Sequence, residues 1–429
     1  MGSAGVDYLA QVAAYPNPDE KLRTERLEVQ GGGNCGNALT AAARLGLSPA
    51  IVTKIGGDAV GDGIIAEFHA EGVDTDCILR APNASSPFTY IIVDRQGSTR
   101  TCIHTPGEAF HPSELTQQLI NNALSGAELI YFDGRLTEAA VLLARAARVS
   151  GVPVLVEAER LRPGLEDLLQ EADYVVTSAH FPGDWTGEQG VGDAVTSMFA
   201  RIPRAQWMIT TLGKKGSVLL ERKSLLVQGR KKGEDGGSVA EKWIAQTLID
   251  ALFEHAGAAA AGAPPDSTNE NADGPACVSA SGVEIYAGGQ ATAPDAYSLI
   301  LKRGGEKEEE EAVAASAARA AEAAAAANAA AGKAAAYQSS SAHATASRGT
   351  SEVHAIVTVS QAAVLPPDAV LDTTGAGDAF IGSLLYCLAT GKGPRDAMKL
   401  GAVVAACKCT ALGARPGLPH RHMIRKDLL

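Results

Sequence analysis

The stretch Asp372-Thr373-Thr374-Gly375-Ala376-Gly377-Asp378-Ala379-Phe380 carries the strongest chemical signal in the chain. Glycines at Gly375 and Gly377 let the backbone curl and aim consecutive N–H groups outward at a helix start, which suits phosphate oxygens. Asp378 falls in the first turn, beside such an anion. A carboxylate there can take the proton of an attacking hydroxyl while the N–H groups stabilise charge on the phosphoryl group in transfer. The same residues also read as a tight strand-to-helix turn in which Asp378 only decorates the helix start. A second glycine-led start is Gly31-Gly32-Gly33-Asn34-Cys35-Gly36-Asn37. Its two asparagines, three apart, project amide donors and acceptors toward one point, as a polyhydroxy ligand needs. The plainer reading makes Asn34 an N-cap. Asp7 follows Gly5-Val6 at what reads as a strand end and offers a carboxylate to hydroxyls. The loop Thr211-Leu212-Gly213-Lys214-Lys215-Gly216 closes the strand Trp207–Thr210, and its glycines permit close approach of a nucleotide.

These groups need a frame, and the chain alternates short β-branched runs with helical patterns. Strands are expected at Ala50–Ile55, Glu128–Phe132, Pro153–Glu157, Tyr174–Thr177 and Ala369–Leu371, and a hairpin partner of Trp207–Thr211 at Ser217–Glu221. Helices are expected at Ala38–Leu45, Gly61–Glu71, Glu138–Ser150, Gly164–Glu171 and from the Asp378 region to Thr390. Strands separated by helical segments imply βαβ units and a mainly parallel sheet covered on both faces. The hairpin Phe88–Asp94 and Thr99–His104, turning at Gln96-Gly97, breaks that rhythm and reads as a flap. In open α/β sheets ligands sit beyond the carboxyl ends of the strands.

A length of 429 residues predicts two or three domains. Composition breaks near residue 222 and recovers near residue 353. Between them lie a Gly-rich charged run, the acidic run Glu306–Glu311 and 18 alanines within Ala312–Ala336. Such a stretch buries too little apolar surface to offset the entropy of ordering it, so 223–352 reads as a low-complexity, mostly disordered insertion with one helix at Ala240–His255. A formal charge of −12 without a long basic cluster argues against nucleic-acid binding. Seven cysteines without a CxxC motif support neither a disulfide framework nor a zinc site, and the histidines lack ligand spacing, so no protein-bound metal is expected. No apolar run approaches the roughly 20 residues that span a bilayer, so no membrane partner is expected either. GxxxxGK[ST], H-R-D and D-F-G are all absent, which excludes P-loop and protein-kinase chemistry.

Taken in order, these motifs resemble the ribokinase-like (pfkB) family of carbohydrate kinases over about residues 2–222 and 353–421. The resemblance implies a three-layer α/β/α sandwich with a small β-sheet lid at about 88–104, in a kinase domain formed by 1–222 and 353–429. It implies phosphoryl transfer from ATP, with Mg2+, to a small-molecule sugar, and pairing of two copies through the lid. By motif, Asp378 is the base; Gly375, Ala376 and Gly377 form the anion hole; Asp7, Gly33, Asn34 and Asn37 hold the sugar; Thr211, Gly213 and Gly216 lie at the nucleotide. The stretches Gly32–Asn37, Tyr131–Arg135 and Val154–Arg160 look most like ketohexokinase and plant or algal pfkB proteins, which implies a ketohexose or other furanose-type sugar. A nucleoside kinase, or a sugar- or nucleotide-binding regulator without turnover, are the alternatives. Two departures stand out. Ser178-Ala179-His180-Phe181 replaces an Asn-x-x-Glu element of many members, and Met1-Gly2-Ser3 stands where the family has an apolar strand, so the start reads as truncated. The expected compartment is the cytoplasm, or a plastid if a transit peptide precedes this start.

Overall fold

The computed structural model describes residues 1–97, 99–222, 249–254, 256, 274–292, 299–301 and 353–429. Its elements run β1 (Gly5–Val12), β2 (Arg26–Gly32), α1 (Asn34–Arg44), β3 (Thr53–Gly56), α2 (Ala59–Ala70), β4 (Ile78–Ala81), β5 (Phe88–Asp94), β6 (Thr99–Thr105), α3 (Gln117–Leu124), β7 (Ile130–Phe132), α4 (Thr137–Val149) and β8 (Val154–Ala158). Then come α5 (Leu165–Gln170), β9 (Tyr174–Thr177), α6 (Phe181–Thr186), α7 (Val191–Arg201), β10 (Trp207–Thr211), β11 (Ser217–Arg222), β12 (Cys277–Val278), β13 (Glu284–Ile285), β14 (Gln290–Thr292), β15 (Leu299–Leu301) and β16 (Val353–Ser360). Helices α8 (Ala376–Ala389) and α9 (Pro394–Lys408) close the chain.

The main sheet runs β14-β16-β11-β10-β9-β8-β7, with β15 beside β16. Strands β7 to β10 are parallel, as βαβ crossovers require, and the β10–β11 hairpin turns the sheet antiparallel. Alternate residues of these strands feed two separate cores. Val154, Val156, Val175 and Met208 pack under α4, α5 and α7. Leu155, Val176, Ile209 and Leu219 pack under α1, α8 and α9. Burial on both faces explains why these strands read as continuous apolar runs, and the result is a three-layer α/β/α sandwich. A second sheet, β2-β1-β5-β6, stands apart as the lid. Its two faces differ by the period of two: Asp7, Thr89 and His104 share one, while Tyr8, Val29, Tyr90 and Ile103 share the other.

Four expectations change. Ala369–Leu371 is not a strand: a 3-10 turn at Pro367–Ala369 leads into extended chain whose Leu371 and Asp372 N–H groups donate to Cys409 O at 2.8 and 3.3 Å. Asp7 lies near the start of β1, not at a strand end. Helix α1 begins at Asn34 rather than Ala38, with Gly33 as the residue before it, so Asn34 is not the N-cap. Strands β12 to β15 fall inside the stretch 223–352, expected to be mostly disordered and with no strand foreseen, and β14 and β15 pair with β16 of the main sheet. The expected helix Ala240–His255 is described only over 249–254, and the rest of that insertion lies outside the described residues except for 256, 274–292 and 299–301.

Candidate active site

Small residues bring the two glycine-led helix starts together. A Cβ on Gly382 would stand 2.5 Å from Ala41 Cβ and 2.6 Å from Ala38 O, so α8 lies against α1 at a distance only glycine permits. Gly382 sits one turn beyond Asp378, and Ala41 one turn beyond Asn37. The first turns therefore meet, and Asn37 Nδ2 donates to Asp378 Oδ2 at 2.8 Å across 341 residues of sequence. Gly375 makes the turn into α8 at φ 75°, a left-handed conformation that other residues adopt only with strain. Within that start Ala376 N–H returns to Thr373 O at 3.2 Å and Ala379 N–H to Gly375 O at 2.8 Å. No backbone acceptor among the described residues meets the N–H groups of Gly377 and Asp378, and a Cβ on Gly377 would meet nothing within 4 Å. An open pair of donors thus lies beside a buried carboxylate.

The electrostatics follow from burial. Desolvation pushes the Asp378 carboxyl up to about 7; the Asn37 amide opposes the rise, and the Glu159 and Asp133 carboxylates reinforce it. Glu157, also buried, is driven well above the ordinary carboxylate range by desolvation and then by the charge of Asp378, while Tyr131 Oη donates to its Oε2 at 2.5 Å. Across the cleft, burial pushes Asp7 up to about 6 against the pull of the Thr89 hydroxyl and of Arg415. Asp372 moves the other way: burial raises it, yet Lys408 and the hydrogen bonds from Thr374 and Gly413 lower it overall. The Lys408 ammonium is buried and donates to Asp372 O at 2.6 Å, fixing the chain just before the Gly375 turn.

Asn34 and Asn37 do not converge on one point. Asn37 joins Asp378 and accepts from Arg415 Nε at 3.0 Å, whereas Asn34 donates to Glu159 Oε2 and accepts from Arg135 Nη2, each at 3.3 Å. They mark two ends of the candidate site, a helical turn apart on α1. Gly33 stands at the start of that turn with φ 86°. Thr211 ends β10 and donates to Thr177 O at 3.2 Å, and Leu212 N–H closes a tight loop onto Gly216 O at 2.7 Å. A Cβ on Gly213 would meet open space, whereas one on Gly216 would strike Ser360 O, so Gly216 is required by strand packing.

Sequence reasoning gave no role to Arg415, Asp133, Arg135 or Glu159. Arg415 is buried, paired with Glu67 at 2.9 Å and stacked over Phe68 at 5.1 Å, and it holds the Asn37 carbonyl. Asp133 accepts from the Ser3 N–H and hydroxyl at 2.7 Å each. The signal that could have found Asp133 and Glu159 is positional, since each lies just past the carboxyl end of a parallel strand.

A family model for pfkB family carbohydrate kinase matches residues 2–234 and 304–421. A ribokinase of Staphylococcus aureus is 26% identical over 229 residues, covering 51% of this chain and 73% of the relative. A ketohexokinase of Mus musculus is 23% identical over 225 residues, covering 51% of this chain and 74% of the relative. The structure of Arabidopsis thaliana ribokinase complexed with ribose and ATP matches at 17% identity with a TM-score of 0.57, covering 100% of this chain and 96% of that one. At that identity the likeness shows a shared fold.

Proposed function

The chain belongs to the pfkB family of carbohydrate kinases, and from that membership we propose that it phosphorylates a ketohexose or another furanose-type sugar, with Asp378 as general base. As a member it is a phosphotransferase with an alcohol group as acceptor, using ATP and Mg2+. The observation that carries the reading is the Asp378 carboxylate, anchored through one oxygen by Asn37 at 2.8 Å beside open N–H groups of its own helix start.

In this reading the acceptor hydroxyl meets the second Asp378 oxygen. Its proton passes to that carboxylate as its oxygen bonds to the γ-phosphorus; the bond from phosphorus to the bridging oxygen breaks, and ADP leaves with the electron pair. In the anion hole expected at Gly375, Ala376 and Gly377, Gly375 makes the turn and Ala376 N–H stays on Thr373 O, so the open N–H groups of Gly377 and Asp378 take up charge on the transferring oxygens. Asp7, Gly33, Asn34 and Asn37 orient the sugar, and Thr211, Gly213 and Gly216 border the nucleotide. Magnesium, when bound, would be held mainly by the phosphates with one or two carboxylates and would offset phosphate charge. The apolar outer face of the lid supports pairing of two copies, and no described helix is long and apolar enough to cross a membrane.

ATP consumption measured across ketoses, pentoses, nucleosides and phosphorylated sugars tests the reading, with Asp378→Asn as control. Turnover that the variant abolishes supports it. Undiminished turnover by the variant refutes Asp378 as base, and silence across the panel with ligand still bound points to a binding protein.

A further inference from the structure

The end of the candidate site away from Asp378 carries more basic side chains than carboxylates. Arg135 follows β7, Arg160 and Arg162 lie in the loop after β8, and Arg100 and His104 share the face of β6 that carries Cys102. The nearby carboxylates are already engaged. Asp133 accepts from Ser3 and from Cys35 N–H at 3.3 Å. Glu159 accepts from Asn34 and Arg135 at 3.3 Å each and faces Arg160 Nε at 3.5 Å. Arg100 is occupied at the other end, donating to Thr373 Oγ1 at 2.9 Å.

Two guanidinium groups remain short of partners. Among the described residues the buried Nε of Arg135 has no hydrogen-bond acceptor, and its nearest ion-pair oxygen, on Asp133, is 3.9 Å away. The Arg162 guanidinium, half-buried, makes no ion pair or hydrogen bond among the described residues. Desolvation first, and then the charge of Arg135, lowers the pKa of Arg162 despite the opposing charges of Glu159 and Asp133; His104 is lowered by burial and by both arginines. A solvated surface accounts for Arg160, whose side chain is 76% exposed, but not for Arg162. Like charges drawn partly out of water are costly unless an anion joins them. Guanidinium forks match phosphate and carboxylate oxygens in geometry. The placement also fits, because Asn34 at this end and Asn37 at the base lie one turn apart, about 5–6 Å between Cβ atoms, a span that a pentose or hexose bridges.

We propose that the acceptor is an anionic sugar, bearing a phosphate or carboxylate at the end opposite the hydroxyl that reaches Asp378, with Arg162 and Arg135 holding that group. The proposal rests on the kinase reading for the position of the hydroxyl, but its binding claim is separately measurable.

Calorimetric titration of the full chain compares fructose 6-phosphate with fructose, ribose 5-phosphate with ribose, and gluconate with glucose. The charged member of at least one pair is expected to bind about tenfold or more tightly than its neutral counterpart. Whether phosphate or carboxylate wins identifies the anion. Arg162→Gln is expected to bring the ratio near one, and Arg162→Lys to recover part of it. Equal affinity within every pair, or a preference that Arg162→Gln leaves intact, overturns the proposal. Parallel ATP assays separate the two readings: a bound phosphosugar without ATP consumption counts against the phosphotransfer reading alone, whereas efficient turnover of neutral sugars only, with equal binding, counts against the anionic acceptor alone.

Discussion

As the proposed base, Asp378 is a carboxyl that burial makes costly to ionise and correspondingly more basic. Its pKa of about 7 lies near the pH at which proton abstraction combines adequate basicity with a substantial ionised fraction. Ionisation frees the base, so kcat/KM for a sugar acceptor is expected to rise with pH through about 7 and to level off above it. A profile flat from pH 5.5 to 8.5 would count against Asp378 as the group that titrates. Asp378→Asn is expected to cut kcat by about 10²–10⁴-fold while ligand still binds. The same residue predicts a stability effect of opposite sign. A carboxyl whose folded pKa lies above its unfolded value contributes fully only below the unfolded value, near 4, and that contribution is lost as pH rises through about 7. Asp378→Asn is therefore expected to stabilise the protein by roughly 4 kcal/mol at pH 8, and by close to nothing at pH 4. Urea titrations at the two pH values measure the difference; a variant less stable than the parent at pH 8 would contradict it.

At the scale of elements, the site depends on how closely α1 and α8 approach. Gly382→Ala places a methyl group within 2.6 Å of Ala38 O and 3.0 Å of Ala42 N, backbone atoms that cannot swing aside. The expected cost is about 1–3 kcal/mol of overpacking. Because the displacement parts Asn37 from Asp378, kcat is expected to fall further than an equally destabilising substitution in the other core, such as Leu168→Ala on the buried face of α5, would make it fall. Equal losses for the two would show that the approach matters only to stability. This dependence explains what the sequence disclosed. The turns at Gly375 and Gly33 are local backbone requirements, so a short motif announces them. Arg415 was silent because its partners Asn37 and Glu67 lie 378 and 348 positions away and no spacing rule connects them. Val370 and Leu371 resembled a strand by residue type, yet both are exposed, and the Leu371 N–H finds its acceptor at Cys409 O, just past the end of α9, rather than on a neighbouring strand. Strand β14 escaped notice because three residues, Gln290–Thr292, are too few to show an alternation inside a low-complexity stretch.

At the scale of the whole molecule, the lid has two faces with different tasks. The face of Asp7, Thr89 and His104 turns polar groups toward the cleft. The other leaves Leu27, Val29, Tyr90 and Ile103 between 52% and 59% exposed, around an apolar hollow of about 440 Å³ lined with Tyr8 and Ile92. A four-stranded sheet with one apolar face in water is unusual for a monomer, since contiguous exposed apolar patches mark contacts. If two copies cover these faces with each other, light scattering should give about twice the chain mass at micromolar concentration. Tyr90→Lys with Ile103→Lys should return the mass to one chain, because each charge would be desolvated in the joint. The effect on catalysis distinguishes a simple joint from a working one. Lid strands β1 and β5 carry Asp7 and Thr89 into the cleft, and Arg100 on β6 reaches Thr373 before the Gly375 turn. On the proposed reading, a lid that loses such a partner loosens the side of the site that holds the sugar, which should raise the KM for sugar severalfold and leave the KM for ATP nearly unchanged. A monomeric double variant with an unaltered sugar KM would show that the lid is held in place from within its own chain.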